Sequence, residues 1–478
     1  MRLEIPFCGP AYESESHMIS PEECINFYLR PYPEMGKDKM ALVGTPGLRT
    51  FAYVNPGYEV RALLPFGHYL YAVVGNRFYR ITELGIATEK GALNTTTGRV
   101  GIATNGLDVT LVDGPWGYVY DLGTDTFAQI ADPDFPGGDT IIHTDGYYLV
   151  NRPGTGQVWR SDYNDGSSWY GLAFDTAGSR PDNVVGIVLD HKDIWALGES
   201  TTELYYNAGL PTFNFVKIEG AFIEQGGAAP HAHTTANNAV YWVGRDERGR
   251  GQVFQALGRQ PKVVSTSPVS HHISQYDLST SFMFSYQQVG HTHVVLQIPD
   301  ADVTWVYDSS VGLWHQRSSI TNGVPSKWMA EAHALFNDQH IVGAPDGYLY
   351  RMATDLYAEG GEQDSTEIIS TRTTPILRDK QNPITINEVQ VVHEPGVGLI
   401  TDGEESVDPQ AMFSWSRDAG KTWSAEVDMP LGKIGEYDGI AKVTQLGQGV
   451  NWVFRYRISA AVKKVVVGAV ADVEGDDA

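Results

Sequence analysis

Cysteine is nearly missing: Cys8 and Cys24 are the only two in 478 residues. Two thiols cannot make a disulfide framework. They leave room for a single Cys8–Cys24 pair, but nothing else in the sequence points to an oxidising compartment. Positive charge is scarce as well, with 34 Lys and Arg against 58 Asp and Glu, a formal net charge of −24. Tight nucleic-acid binding needs clustered cations that displace phosphate counterions, and no strong cluster is present. The one local basic run, Arg245-Asp246-Glu247-Arg248-Gly249-Arg250-Gly251, reads as a solvated hairpin tip that can also dock on an acidic neighbour. No apolar run approaches the roughly 18 residues of a membrane span. The N-terminal Met1-Arg2-Leu3-Glu4-Ile5-Pro6 lacks the apolar core of a secretory leader. The expectation is a soluble protein made in a cytoplasm, with no membrane anchor. Dinucleotide-binding GxGxxG, phosphate-loop, GxSxG and CxxC patterns are all absent, so no cofactor is predicted.

What is present is turn and strand chemistry. Hydrophobic residues make up 42% and charged residues 19%, a globular balance. The 51 Gly and 25 Tyr favour turns and aromatic strands, which predicts an all-β protein. The length is too great for one ordinary core and suggests two or three domains. From residue 58 a hairpin-like unit recurs seven times, beginning near Gly67, Asn105, Asp145, Lys192, Asn238, His293 and Gln339. The units lie about 40–55 residues apart, the period of propeller blades. Each reads as the central hairpin of one blade, and closing the ring would remove exposed sheet edges. A β-propeller over 58–355, of six or seven blades, is the expectation. Residues 1–57, broken by Pro10, Pro21, Pro31, Pro33 and Pro46, are expected to form an arm packed on it. Residues 356–366 read as a polar, Gly-rich linker. Residues 367–478 alternate in strand fashion and predict a small antiparallel β-sandwich. Its acidic end, Glu474 to Ala478, is expected to fray.

Several constellations carry possible chemistry. Ser416-x-Asp418-x-Gly420-x-Thr422-Trp423 is a complete Asp-box. Asp418 is suited to cap backbone N–H groups, Gly420 to take a positive φ, and Trp423 to pack under the loop. A degenerate relative is Asp162-x-Asn164-x-Gly166-x-Ser168-Trp169. Asp-boxes recur in sialidases and other glycosidase propellers. Such enzymes need a carboxylate pair, or a Tyr nucleophile with an arginine cluster, and no motif here selects either. A carbohydrate-active propeller, hydrolase or glycan binder, is the alternative reading. His231-x-His233 and His291-x-His293, with His271-His272 between them, have strand-face ligand spacing but no partner carboxylate or cysteine pattern, so no metal site is predicted. Asp132-Pro133-Asp134 and Asp300-Ala301-Asp302 fit turns more simply than Ca²⁺ loops. Beyond the Asp-box, Leu431-Gly432-Lys433-Ile434-Gly435-Glu436-Tyr437 combines two freeing glycines with polar and aromatic groups. Lys433, Glu436 and Tyr437 are the candidate subunit or domain contact.

The order of these features resembles a phage family, the packaged-DNA stabilisation proteins of short-tailed phages, also called tail accessory factors or tail nozzle proteins. The resemblance rests on five segments: Thr45-Pro46-Gly47-Leu48, Ser179 to Ile187, Trp195 to Tyr205, Glu224-Gln225-Gly226, and the run from Ser416 to Tyr437. It implies a structural virion protein rather than an enzyme, assembled in the host cytoplasm. It further implies a hexameric ring below the portal and adaptor proteins that extends the DNA channel and retains packaged genome. A plug, needle, tailspike or fibre protein would lie below. DNA would pass through such a ring without tight binding.

Overall fold

Each of the seven sequence units folds as the central hairpin of a sheet in the computed structural model. The structure describes residues 1–9, 14, 16, 18–32, 40–178, 180–245, 251–361, 365–380, 382–400 and 404–475. The basic tip at 246–250, the end of the acidic tail at 476–478 and the linker residues 362–364 lie outside the described residues, as does Ser179.

Blade 1 consists of Val60–Phe66, Tyr69–Val74, Arg77–Ile81 and Ala87–Ala92, paired antiparallel in sequence order. Its second strand, Tyr-Leu-Tyr-Ala-Val-Val, is an unbroken apolar run because neighbouring blades cover both of its faces. Gly67 and Gly75 turn the chain at its two ends with φ of 59° and 56°. Four-stranded sheets follow over 101–129, 141–176, 184–223 and 233–263. A sixth spans 282–321 within a larger sheet. Aromatic strand residues stitch the blades together: Tyr71 and Phe78 of blade 1 pack with Tyr118 and Tyr120 of blade 2. Trp195 of blade 4 meets Trp242 of blade 5 at 5.9 Å between ring centroids.

The seventh blade is completed from the other end of the chain. Its strands Ala332–Phe336, Gln339–Gly343 and Tyr348–Ala353 are joined by Gly47–Tyr53, which pairs antiparallel from Tyr348↔Tyr53 to Ala353↔Gly47. The propeller therefore has seven blades, and its ring closes through a strand that lies within the stretch expected as an arm.

The rest of that stretch is woven into the C-terminal sandwich. One sandwich sheet runs Phe27–Pro31, Met40–Gly44, Val465–Gly475, Ile384–His393, Ala441–Gly449, with Arg2–Ile5 also on Val465–Gly475. The other holds Glu23–Ile25, Ser370–Thr373, Val453–Ile458, Gln410–Ser416 and Val427–Pro430. The expected arm over 1–57 is thus divided between two sandwich sheets and one blade. Backbone donors and acceptors in a proline-broken segment must still find partners, and here the sheet ladders supply them. Phe7, Phe27 and Leu42 share one core with Ile386, Phe413, Trp452 and Tyr456. The second sandwich sheet continues into blade 6 through a parallel bridge between Ile25 and Gln316. Part of the expected linker also pairs: Ala358–Gly360 runs parallel to Gly47–Tyr53 and antiparallel to Ser365–Glu367.

Candidate interaction site

The Asp-box joins Gln410–Ser416 to Val427–Pro430, which pair as a hairpin from Gln410↔Pro430 to Phe413↔Val427. Asp418 is its acceptor hub. Its Oδ1 takes the Thr422 N–H at 2.8 Å and the Ser416 hydroxyl at 2.7 Å, and its Oδ2 takes the Thr422 hydroxyl at 2.6 Å. Ser416 Oγ in turn accepts the Gly420 N–H at 2.9 Å, and Gly420 sits at φ 86°. Partial burial works to raise the Asp418 pKa, but the donors of Thr422, Ser416 and Lys421 outweigh it and hold the carboxyl down to about 2. The half-buried ring of Trp423 lies beneath the Arg455 guanidinium at 3.9 Å, and Arg455 also reaches Glu23 at 3.4 Å. The box backbone is tied to the sandwich by the Ala419 N–H, which donates to the Asn451 carbonyl at 3.0 Å.

The adjoining loop is open to solvent. Leu431 and Gly432 are buried, whereas Lys433, Ile434, Gly435, Glu436 and Tyr437 are exposed. The loop is anchored by Gly396 N–H on the Leu431 carbonyl at 3.0 Å and Gly398 N–H on the Gly432 carbonyl at 3.2 Å. Glu436 caps it from within: its carboxylate accepts the Lys433 N–H at 3.2 Å, and its own N–H donates to the Lys433 carbonyl at 2.9 Å. Lys433 Nζ reaches Asp408 at 3.2 Å. Tyr437 is 66% exposed, beside Ile434 at 55% and near Ile440 at 56%. The three candidate contact residues therefore share one loop with outward-facing apolar side chains, a combination suited to docking.

The other motifs sort by their partners. In the degenerate box, Ser168 Oγ donates to Asp162 at 2.8 Å, and Trp169 is buried with its Nε1 donating to the Gly166 carbonyl at 2.9 Å. Asp132 accepts the N–H groups of Asp134 and Trp169, and Asp134 accepts that of Gly171. Asp302 accepts the Lys327 N–H at 3.0 Å. These are turn and loop ties. His291 and His293 are buried and stacked at 5.9 Å, with His291 Nδ1 at 2.6 Å from Asp308. His271 and His272 lie on the short helix Ser267–Ser274. Among the described residues no group of three or more His, Cys, Asp or Glu is placed to hold a metal ion. Cys8 and Cys24 are free thiols.

Two features were not predicted from the motifs, although the His291-x-His293 and His231-x-His233 pairs border them. One is the propeller–sandwich junction, where Tyr28 packs edge-on against His291 and His293 at 5.2 and 5.5 Å. There the buried Lys464 Nζ donates to the Ile368 carbonyl, and burial depresses its pKa to about 7. The other is a cavity at the propeller axis, lined by residues from several blades. Only the three-dimensional pairing of distant segments brings either together.

Comparison with protein families gives two matches in chain order. A model described as bacteriophage P22 Gp10, beta-propeller, matches residues 12–357. A second, described as bacteriophage P22 Gp10, beta-sandwich, matches residues 370–474. A comparison with curated proteins returns no match. Among solved structures, YCF48 bound to a D1 peptide superposes with a TM-score of 0.42 at 12% identity, covering 66% of this chain and 97% of that one. The N-terminal domain of Nup159 superposes with a TM-score of 0.42 at 9% identity, covering 65% of this chain and 95% of that one. At that level neither carries an argument about this chain.

Proposed function

The chain belongs to the bacteriophage P22 Gp10 family, and on that premise we propose that it is a ring-forming part of a phage tail that extends the portal–adaptor channel. In this role it retains packaged DNA and lets it pass during ejection. The observation that carries the reading is the succession of the two family matches, propeller then sandwich, over most of the chain. The expected assembly is a homo-hexamer made in the host cytoplasm. Adaptor and portal proteins lie above it, and a plug, needle, tailspike or fibre protein lies below. The role is structural, with no reaction catalysed.

The architecture suits that role mechanically. The strand Gly47–Tyr53 locks the ring of blades, and a parallel bridge between Ile25 and Gln316, with the Asn26 N–H on the Gln316 carbonyl, joins blade 6 to the sandwich. Such a body resists shear because sliding one part past the other breaks backbone hydrogen bonds. The loop with Lys433, Glu436 and Tyr437 is the proposed contact between neighbouring subunits. The Asp-box lends no catalytic carboxylate to the carbohydrate reading, since Asp418 is already taken up by Thr422 and Ser416.

Electron microscopy of the purified chain, alone and mixed with the portal and adaptor proteins of the same phage, tests the reading. A ring with a central hole is expected. A chain that stays monomeric in their presence overturns it. Within a ring-forming preparation, the double variant Lys433→Ala/Glu436→Ala is expected to lower the ring fraction. An unchanged ring fraction removes this loop from the subunit contact.

A further inference from the structure

The inner strands of the blades surround an axial cavity. Its mouth has a volume of about 560 Å³ and is lined by Glu59, Arg99, Asp139, Phe282 and Glu331, among others. A narrower part of about 250 Å³ lies beyond, with Arg99 and Phe282 again in its wall. The mouth falls within the roughly 300–1,000 Å³ of small-molecule sites.

Two arginines near this cavity differ in how they are bonded. Arg61 is saturated: it donates to the carbonyls of Gly75, Thr95, Thr97 and Gly98, to the Thr95 hydroxyl and to Asp113. Its role is to hold the loop 95–98. Arg99 lines the cavity with its guanidinium 4.3 Å from the centroid of Phe282, and among the described residues its hydrogen bonding is one long contact of 3.5 Å to the Val60 carbonyl. Glu331 and Glu59 act on it electrostatically, but among the described residues neither forms an ion pair with it. Glu331 is held by Lys327 at 2.9 Å, and Glu59 accepts the Gly98 N–H at 2.8 Å. Asp139 lines the same mouth and is in the mirror situation. Its carboxylate takes one long contact of 3.5 Å from Asn151 Nδ2. A cation and an anion thus face one cavity, each nearly unbonded and not paired with the other.

We propose that the cavity binds a small zwitterion of the amino-acid type, its carboxylate on Arg99 and its ammonium on Asp139. A planar guanidinium fork matches a carboxylate bidentately. The Phe282 ring packs against that fork at 4.3 Å. The mouth sets three acids, Glu59, Asp139 and Glu331, against two cations, Arg99 and Lys327, a balance that favours a ligand bringing its own positive group over a multiply charged anion such as phosphate. This goes beyond the structural role and does not depend on it.

Calorimetric titration of the full chain with single free L-amino acids, at up to about 10 mM, tests the proposal. At least one amino acid is expected to bind saturably, and acetate or methylammonium alone to bind about tenfold more weakly. Arg99→Gln and Asp139→Asn should each weaken binding about tenfold or more while leaving the melting temperature within a few degrees. Arg99→Lys, which keeps the charge but loses the fork, should also weaken it. Absence of binding by every amino acid overturns the proposal. So does equal binding by Arg99→Gln and Asp139→Asn, or binding of inorganic phosphate in preference to the zwitterions.

Discussion

Replacing Asp418 by alanine removes the acceptor for both Thr422 donors and for the Ser416 hydroxyl. Hydrogen bonds to a charged group contribute about 1.5–3 kcal/mol when well shielded, and the box is only partly shielded from water. The expected loss is about 1–2 kcal/mol of stability, read from the urea midpoint. An unchanged midpoint contradicts the hub role. The pH dependence has a definite sign. Because the folded carboxyl titrates at about 2, below its ordinary value of 3.8, the box contributes its stability above that ordinary value and loses it as pH falls through about 2. This geometry was legible in the sequence because its hydrogen bonds span four residues or fewer. The Trp423 environment was not. Its cation, Arg455, comes from a strand 32 positions later and is positioned by Glu23 near the other end of the chain.

At the scale of elements, the N-terminal strands show where sequence reading ran out. Proline spacing, which is local information, led to an arm over residues 1–57, where the structure has five strands among the described residues. The partners of its strands are not local: Arg2–Ile5 pairs with 469–472, and Glu23–Ile25 pairs with 371–373. No periodicity encodes pairing over such separations. Phe7 offers a test, because it is fully buried in the sandwich core. Phe7→Ala is expected to cost about 3–5 kcal/mol, measured by denaturant unfolding. A loss under about 1 kcal/mol would fit a surface arm instead.

The histidine-rich wall of blade 6 gives a second element-scale prediction. His293 faces His291, His315, Asp308, Arg317, Tyr28 and Tyr286. Burial first, then the neighbouring His315, lowers its pKa to about 3. Burial first, then Arg317, does the same for His315. His231, His233 and His333 are likewise depressed by burial, to about 3, 4 and 3. Between pH 6.5 and these values the unfolded chain binds more protons than the folded one. Stability is therefore complete above 6.5 and falls as pH drops, by up to about 1.4 kcal/mol per pH unit for each such histidine. The melting temperature should decline steadily from pH 6.5 to 4. A flat profile over that range refutes the buried neutral cluster.

At the scale of the whole molecule, seven blades were foreshadowed by seven units because a central hairpin repeats its own turn and aromatic signals in each sheet. Ring closure by Gly47–Tyr53 was not, since that strand looks like any other and only its partner identifies it. Net charge is the remaining whole-molecule property, and it bears directly on a DNA conduit. Six copies at −24 would carry −144, six times the single-chain charge. Phosphate approaching such a ring is repelled, and repulsion reaches farther as salt is lowered, with a screening length near 8 Å at about 0.15 M rising to about 30 Å at 0.01 M. A DNA-binding protein behaves in the opposite way, because releasing condensed counterions strengthens its affinity at low salt. The expected result is no measurable binding of duplex DNA at moderate salt and none gained on dilution of the salt, measured by fluorescence anisotropy with a labelled duplex. Tight binding whose affinity climbs as salt falls would place a cationic surface on the DNA path and would overturn the sliding channel. Weak binding confined to a basic loop would be exposed by neutralising that loop. The slope against salt, rather than affinity at one concentration, separates a conduit that repels its cargo from a clamp that grips it.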